Sequence, residues 1–275
     1  MKRAVSVVLL GLCFATYPCA FAQTPPPPAA CVTVCPTPPP PPPRPPDASR
    51  GLETKYVRDS AEYATLCREV YRAATTAVTG AAHTGTWGVI LDIDETTLDN
   101  SAYQLERGTY GLSFDDASWS AWIVRKEAGS VPGVEDFVNA VRSAGGRVVY
   151  ITNRNTKYVP PKGQTIDLVT PTRENLERNR LWNKADLLCL MDGEPDTKAV
   201  RRKAVATGVG ACSWSGVSVN VVAFVGDQMG DFPEAGEPFP GAGTDGQFGR
   251  SFFLLPNSMY GKWTNGVTRV SGSFP

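Results

Sequence analysis

From Gly88 onward short apolar runs alternate with stretches of helical period, and this alternation limits the fold more than any other feature of the chain. The runs predict strands at Gly88 to Leu91, Val148 to Ile151, Leu187 to Leu190, Val219 to Val225 and Phe252 to Leu255. Between them the periodicity predicts a helix from Val134 to Ala144, closed by Gly145-Gly146. A second helix opens at Thr170-Pro171, read as N-cap and N1, and a third spans Thr197 to Ala206. Strands that are apolar throughout and separated by helices imply an α/β fold, a mostly parallel sheet with helices on both faces. In such sheets ligands bind at the C-terminal ends of the strands.

Upstream, Tyr63, Leu66, Val70, Ala74 and Val78 recur at helical spacing before Gly80, so ordered structure should begin near Gly51 with this stripe as core. From Gln23 to Arg50 the proline runs Pro25 to Pro28 and Pro38 to Pro43 favour polyproline II and exclude a packed core, so residues 23–50 read as a spacer. Residues 1–22 read as a signal peptide: Lys2 and Arg3, an apolar run from Ala4, then Ala20-Phe21-Ala22 as a small-residue cleavage site before Gln23. The apolar run is short and is followed by prolines, which disfavours a transmembrane helix. The expected mature protein is periplasmic or secreted. Lipid anchoring competes through Cys13, Cys19 and Cys31, but Leu12, Pro18 and the proline context fit none of them.

Charge excludes one class of partner. The 27 Lys and Arg balance 27 Asp and Glu, so nothing points to a nucleic acid polymer or an anionic membrane. Removal of Lys2 and Arg3 leaves 25 against 27, a net charge of −2. A single histidine, His83, excludes chemistry that needs paired histidines or several imidazole metal ligands, and reads as a surface residue after a helix. After signal removal Cys31, Cys35, Cys67, Cys189 and Cys212 remain; the number is odd, and Cys31 with Cys35 or Cys189 with Cys212 are both open as disulfides.

The strand ends carry the chemistry. The first strand runs into Asp92-Ile93-Asp94, and period two sends both carboxylates toward one side. The second ends in Thr152-Asn153-Arg154, a hydroxyl and backbone amides suited to phosphate oxygens, and the third is followed by the cation Lys198. The fourth ends in Gly226-Asp227 with Asp231 four residues on, hard oxygen ligands of the kind magnesium takes. No Cys is followed by Arg at the spacing of a phosphate-cradling loop.

These motifs resemble a known family, the class C (subgroup IIIB) acid phosphatases of the haloacid dehalogenase superfamily, which includes bacterial surface 5′-nucleotidases. The likeness covers most of Tyr56 to Trp263. It is strongest in LDIDETTLDNSAY (Leu91 to Tyr103), VYITNRN (Val149 to Asn155), TKAVRR (Thr197 to Arg202) and FVGDQMGDF (Phe224 to Phe232). LLPNSMYGKW (Leu254 to Trp263) and SAEYATLC (Ser60 to Cys67) also look like family segments. Thr97 departs from the usual Met or Val, Gln228-Met229 from the usual Asn-Leu, and Val209 to Val217 looks like an insertion. The resemblance implies a Rossmann-like sheet of the haloacid dehalogenase kind, with residues 51–275 as the phosphatase domain.

It further implies that Asp92 is the nucleophile forming an aspartyl-phosphate, and that Asp94 is the acid and base. Magnesium would sit on Asp92, the backbone carbonyl of Asp94 and Asp227, with Asp231 as a further partner of the metal site. Thr152, Asn153 and Lys198 would hold the phosphoryl group. The segment from Asn100 to Pro132 is long for a connection and should form a small cap. Family members stack nucleobases on aromatic side chains, which makes Tyr103 and Tyr260 candidate substrate contacts, whereas Trp119 and Trp122 lie three apart, a core-packing spacing. The expected function is that of an exported, magnesium-dependent acid phosphatase acting on small phosphomonoesters, nucleoside 5′-monophosphates among them. The alternatives are a broad phosphatase or phosphotransferase without nucleotide preference, and a catalytically silent binding protein on the same scaffold; retention of Asp92, Asp94, Thr152, Lys198 and Asp227 argues against silence.

Overall fold

The computed structural model describes residues 51–193 and 195–265. The segments read as signal peptide and spacer, and with them Cys31 and Cys35, lie outside the described residues.

Five parallel strands form the sheet: β1 (Trp87–Leu91), β2 (Arg147–Asn155), β3 (Leu187–Met191), β4 (Asn220–Gly226) and β5 (Phe252–Leu254), in the spatial order β3-β2-β1-β4-β5. The chain starts in the centre and winds outward both ways, so the switch in winding direction falls between β1 and β4, where a ligand crevice is expected. Among the described residues seven α-helices accompany the sheet: α1 (Leu52–Asp59), α2 (Ala61–Thr79), α3 (Ser101–Thr109), α4 (Asp116–Arg125), α5 (Val134–Ser143), α6 (Val169–Arg178) and α7 (Lys198–Thr207).

Alternation along each strand feeds two separate cores. Val89 and Leu91 of β1, Val148 and Tyr150 of β2, and Ala223 and Val225 of β4 pack with α2 and α5 through Tyr71, Ala74, Val78, Phe137 and Val141. Their neighbours Ile90, Val149, Ile151 and Phe224 face the other way, onto Ala204 and Val205 of α7 and a cluster of phenylalanines. Both faces of the strands are thus covered, which explains why they read as unbroken apolar runs.

Three expectations shift. The buried stripe of α2 is Tyr63, Cys67, Tyr71, Ala74 and Val78, while Leu66 is 42% exposed. The helix is rotated by one residue because it buries two tyrosine rings, one of which sends its hydroxyl to Thr96 O at 2.6 Å. Helix α6 begins at Val169, not at Thr170-Pro171: the Asp167 carboxylate accepts from the amides of Val169 and Thr170, so an acid one turn earlier does the capping. Strand β2 does not stop at Ile151 but continues through Thr152, Asn153 and Arg154, with a register break against β3 between Ile151 and Asn155. Bulges of this kind re-aim side chains at the rim of a sheet.

A disulfide joins Cys189 of β3 to Cys212, across 23 residues that include α7. Of the two pairings left open by the sequence, this one is formed, and it anchors the segment Val209 to Val217. By loop-closure entropy such a link contributes about 3 kcal/mol. Cys67 is free and buried in the α2 stripe, where burial pushes its thiol up to about 11. His83 is spent locally, its Nε2 2.6 Å from Val78 O and its ring centroid 4.1 Å from that of Trp87.

Candidate active site

The C-terminal ends of β1, β2 and β4 and the start of α7 converge on a cleft of about 800 Å³. Its lining includes Asp92, Asp94, Asn153, Lys198 and Asp231 among the residues singled out from the sequence. Arg154, Trp119, Phe114 and Tyr260 also line it.

Asp92 leaves β1 still tied to the sheet, its amide donating to Val225 O of β4 at 3.0 Å. The turn that follows is tight: Thr97 and Leu98 donate back to Ile93 O, and Glu95 adopts φ 58°. A left-handed glutamate is uncommon away from glycine, and such strain survives only where the surroundings fix it. Here Glu95 Oε1 accepts from the Asn100 amide at 2.9 Å and the Tyr71 hydroxyl holds the next carbonyl. The turn places the Asp92 and Asp94 side chains in one cleft but in different electrostatic company.

Asp92 is part of an acidic cluster. One oxygen each from Asp92, Asp227 and Asp231 lie within 4.8 Å of one another, and all three residues are buried. Lys198 Nζ donates to Asp92 Oδ1 and, at 2.6 Å, to Asp231 Oδ1. Burial pushes the Asp92 carboxyl well above its usual range; Lys198 opposes this, and Asp231, Asp227 and Asp94 reinforce it. Asp227 is pushed up to about 6 by burial and by Asp231. Burial disfavours the charged Lys198, yet Asp92 and Asp231 outweigh that and hold its pKa above the ordinary lysine value.

The other two acids are pinned from behind. Asp227 accepts from Thr96 Oγ1 at 3.1 Å and from Asn257 Nδ2 at 2.7 Å. Asp231 Oδ2 accepts from the amides of Asp227 and Gln228. This return of the chain needs Gly226, where an added Cβ would lie 2.3 Å from the Asp231 Cβ. Three buried carboxylates against one ammonium leave negative charge that a hard divalent cation would neutralise, and an all-oxygen donor set suits magnesium, calcium or manganese rather than zinc. The residues therefore fit a divalent cation. The Asp94 side chain stands apart from this triad, so any part it takes there is through its backbone carbonyl.

Asp94 belongs to a different network. Its Oδ1 takes Arg154 Nη2 at 2.7 Å, Arg154 Nε at 3.0 Å and Asn100 Nδ2 at 2.9 Å. Its Oδ2 has only longer contacts, to Arg154 Nε at 3.2 Å and Thr152 Oγ1 at 3.4 Å. Oδ1 is saturated, which leaves Oδ2 as the oxygen able to carry or take a proton. Arg154 is in turn fixed by Thr172 and Asn100, and Asn100 accepts from the Trp122 indole at 2.8 Å.

Thr152 and Asn153 are placed by a second arginine. Arg201 of α7 donates to Thr152 O and Cys189 O through Nη1, to Asn153 Oδ1 through Nη2 and to Thr197 O through Nε, and pairs with Asp196. Thr152 itself is buried, its hydroxyl accepting from the Arg154 amide and reaching toward Asp94. Asn153 is exposed at the cleft. Lys198 follows Thr197, which caps α7 by accepting from the Val200 amide, so the ammonium and a helix N-terminus meet at the same point, a combination that favours anions.

Of the aromatic candidates, the structure puts Tyr260 at the cleft and Tyr103 elsewhere. Tyr103 is buried between α3 and α4, its hydroxyl 2.9 Å from Ser118 Oγ and its ring packed on Trp119 and Trp122. Trp122 is core, as its spacing suggested. Trp119 is half-buried, lines the cleft and lies 5.4 Å from the Arg154 guanidinium. Phe114 is 58% exposed at the same wall. Arg154, Arg201, Asn257, Trp119 and Thr96 are the residues to which sequence reasoning assigned no catalytic or binding role. All five lie in or beside segments it had singled out, but their partners are remote in sequence.

A family model described as HAD superfamily, subfamily IIIB (Acid phosphatase), matches residues 48–263. Among solved structures the chain is similar to the class C acid phosphatase from Bacillus anthracis, with a TM-score of 0.63 and 24% identity over 81% of this chain and 91% of that one. It is similar also to the class C acid phosphatase from Bacillus anthracis with tungstate bound, with a TM-score of 0.64 and 24% identity over 82% and 92% of the two chains. At that identity the likeness speaks for the fold.

Proposed function

The chain belongs to subfamily IIIB of the haloacid dehalogenase superfamily, the acid phosphatases, and from that membership we propose that it hydrolyses small phosphomonoesters through an aspartyl-phosphate on Asp92, with magnesium as its cation and nucleoside 5′-monophosphates among its substrates. Phosphomonoester hydrolysis comes with the family, as does use of a divalent metal. The observation that carries the mechanism is the division of labour between two acids two residues apart, Asp92 in the acidic triad with Lys198 and Asp94 in the grip of Arg154.

In the first step an Asp92 oxygen attacks phosphorus, the bond from phosphorus to the leaving oxygen breaks, and Asp94 Oδ2 gives its proton to the departing alkoxide. In the second, Asp94 takes a proton from water as that water attacks phosphorus, releasing inorganic phosphate and restoring the Asp92 carboxylate. Lys198, the α7 N-terminus and Asn153 hold the phosphoryl oxygens, and Thr152 and Arg154 keep Asp94 in place. Magnesium held by Asp92, Asp227 and Asp231 would neutralise charge where the anionic phosphoryl group meets the carboxylates. The Cys189 to Cys212 disulfide suits an oxidising compartment and supports export directed by residues 1–22, with residues 23–50 as a spacer.

The metal reading has a pH signature. Carboxyls whose pKa is raised in the fold bind protons more tightly folded than unfolded. Their stabilising contribution is present below the unfolded value of 3.8 and is lost as pH rises through about 6 for Asp227. A cation must displace those protons, so the melting-temperature gap between protein with saturating magnesium and protein with chelator should widen from pH 5 to pH 7. A gap that is constant or narrows over that interval rejects the triad as the metal site.

Tyr260 and Trp119 at the cleft wall support the nucleotide preference. Base stacking is worth about 1 to 3 kcal/mol, so kcat/KM for a nucleoside 5′-monophosphate should exceed that for glycerol phosphate by roughly fivefold to a hundredfold. Tyr260→Ala and Trp119→Ala should each erode the ratio while sparing the small ester. Equal values in the unaltered enzyme would favour the broad phosphatase.

A further inference from the structure

We infer that Asn257 is a positioning residue that couples occupancy of the metal site to the placement of the Tyr260 wall. The inference rests on the reading of Asp227 as a metal ligand. Strand β5 runs beside β4, and where the two leave the sheet the Leu255 amide still donates to Gly226 O at 2.8 Å. The chain after β5 therefore passes directly over the segment carrying Asp227. There the Asn257 side chain uses both ends of its amide. Nδ2 donates to Asp227 Oδ2 at 2.7 Å, while Oδ1 accepts from the amides of Met259 at 2.9 Å and Tyr260 at 3.3 Å.

Chemistry fixes the orientation of that amide. Turned over, it would set its oxygen against a carboxylate oxygen and its NH₂ against two N–H donors, so only one arrangement satisfies all three partners. Aspartate at this position could close the turn but would oppose Asp227, and serine is too short to bridge. No other side chain among the described residues donates to Asp227 from this loop. The loop is then held from its far side by Trp263 Nε1 on Tyr260 O at 3.1 Å and Ser258 Oγ on Glu53 O at 2.9 Å. A carboxylate fixed by a cation is a fixed acceptor; it fixes Asn257, and Asn257 closes the turn that sets Tyr260. Because the coupling is thermodynamic it runs both ways: a ligand that orders the Tyr260 loop raises the affinity for the cation.

The test uses hydrogen exchange of residues 255–263 in the whole protein, with and without saturating magnesium, alongside calorimetric titration with magnesium chloride. In the unaltered protein magnesium should slow exchange of the Met259 and Tyr260 amides about tenfold. Asn257→Ser should lose that slowing. Thr96→Val removes the other side-chain donor to Asp227 without touching the loop, so it should keep the slowing once saturated. Both variants should bind magnesium about tenfold more weakly, the usual cost of losing a partner behind a ligand. Magnesium binding without any slowing in the unaltered protein, or slowing retained in Asn257→Ser, overturns the coupling alone. No calorimetric binding by a folded unaltered protein overturns the metal reading and the coupling with it. Should Asn257→Ser lose its fold by circular dichroism, Asn257→Ala takes its place with the same two outcomes.

Discussion

Asp92→Asn is expected to lower kcat on the order of 10⁴-fold or more while the protein melts at the same temperature or higher. Activity falls because the covalent route loses its nucleophile, and removal of a nucleophile of this kind is rarely compensated by the rest of a site. Stability does not fall because Asp92 is one of three buried acids facing a single ammonium, and its carboxyl is already pushed well above its usual range by burial. Replacing it with a neutral isostere relieves that crowding, and Lys198 keeps Asp231 as its partner. The measurement is turnover of a chromogenic phosphomonoester beside a thermal melt in chelator. A rate near that of the unaltered enzyme, with deamidation excluded by mass, would sink the mechanism.

Asp94 should behave in the opposite way. Arg154 is 1% exposed at its side chain and leans on Asp94 through both Nε and Nη2. Asp94→Ala therefore leaves a buried guanidinium without its counter-charge, which costs on the order of 3 kcal/mol, and the melting temperature should drop. Asp94→Asn keeps an acceptor for Arg154 and should melt closer to the unaltered protein. Its activity should depend on the leaving group: the loss is on the order of 10²- to 10⁴-fold for an alkyl phosphate and much smaller for a nitrophenyl ester, whose departing oxygen needs little protonation. Equal losses for both esters would remove Asp94 from the role of general acid.

The sheet was legible because its strands are buried on both faces, so five apolar runs stood out and only their ends moved by a residue or so. The exception is instructive. The apolar run stops at Ile151 because polar residues follow it, whereas the chain carries on in β2 through Thr152 to Arg154, with a register break against β3, and buries Thr152 and Arg154. The α2 stripe was displaced because Leu66 and Val70 outweigh tyrosines on a hydropathy scale, yet the tyrosines have hydroxyls to place and the room to place them.

At the site, Asp92, Asp94, Asp227 and Asp231 could be read from contiguous motifs because short turns hold them. Arg154 meets Asp94 across 60 positions, and Asn257 meets Asp227 across 30, so nothing in the local pattern announces either contact. Tyr103 and Trp119 show the same limit within one segment. Both are aromatic and both lie on helices between β1 and α5, and only the packing of α3 against α4 decides which ring reaches the cleft.

The link between Cys189 and Cys212 turns the stretch that carries Lys198 and Arg201 into a closed ring of chain. Its exposed rim includes Val209, 72% accessible, where the backbone lies open to a protease. A single cut there would open the ring but release nothing. The fragment after the cut, which carries β4, Asp227 and Asp231, would stay covalently attached to β3 through the disulfide, while α7 stays joined to β3 by the chain itself and Arg201 keeps its bonds to Thr152 O and Asn153 on the neighbouring strand. A nick in this loop would therefore leave the acids that follow β4 tethered to the strand at the opposite side of the sheet.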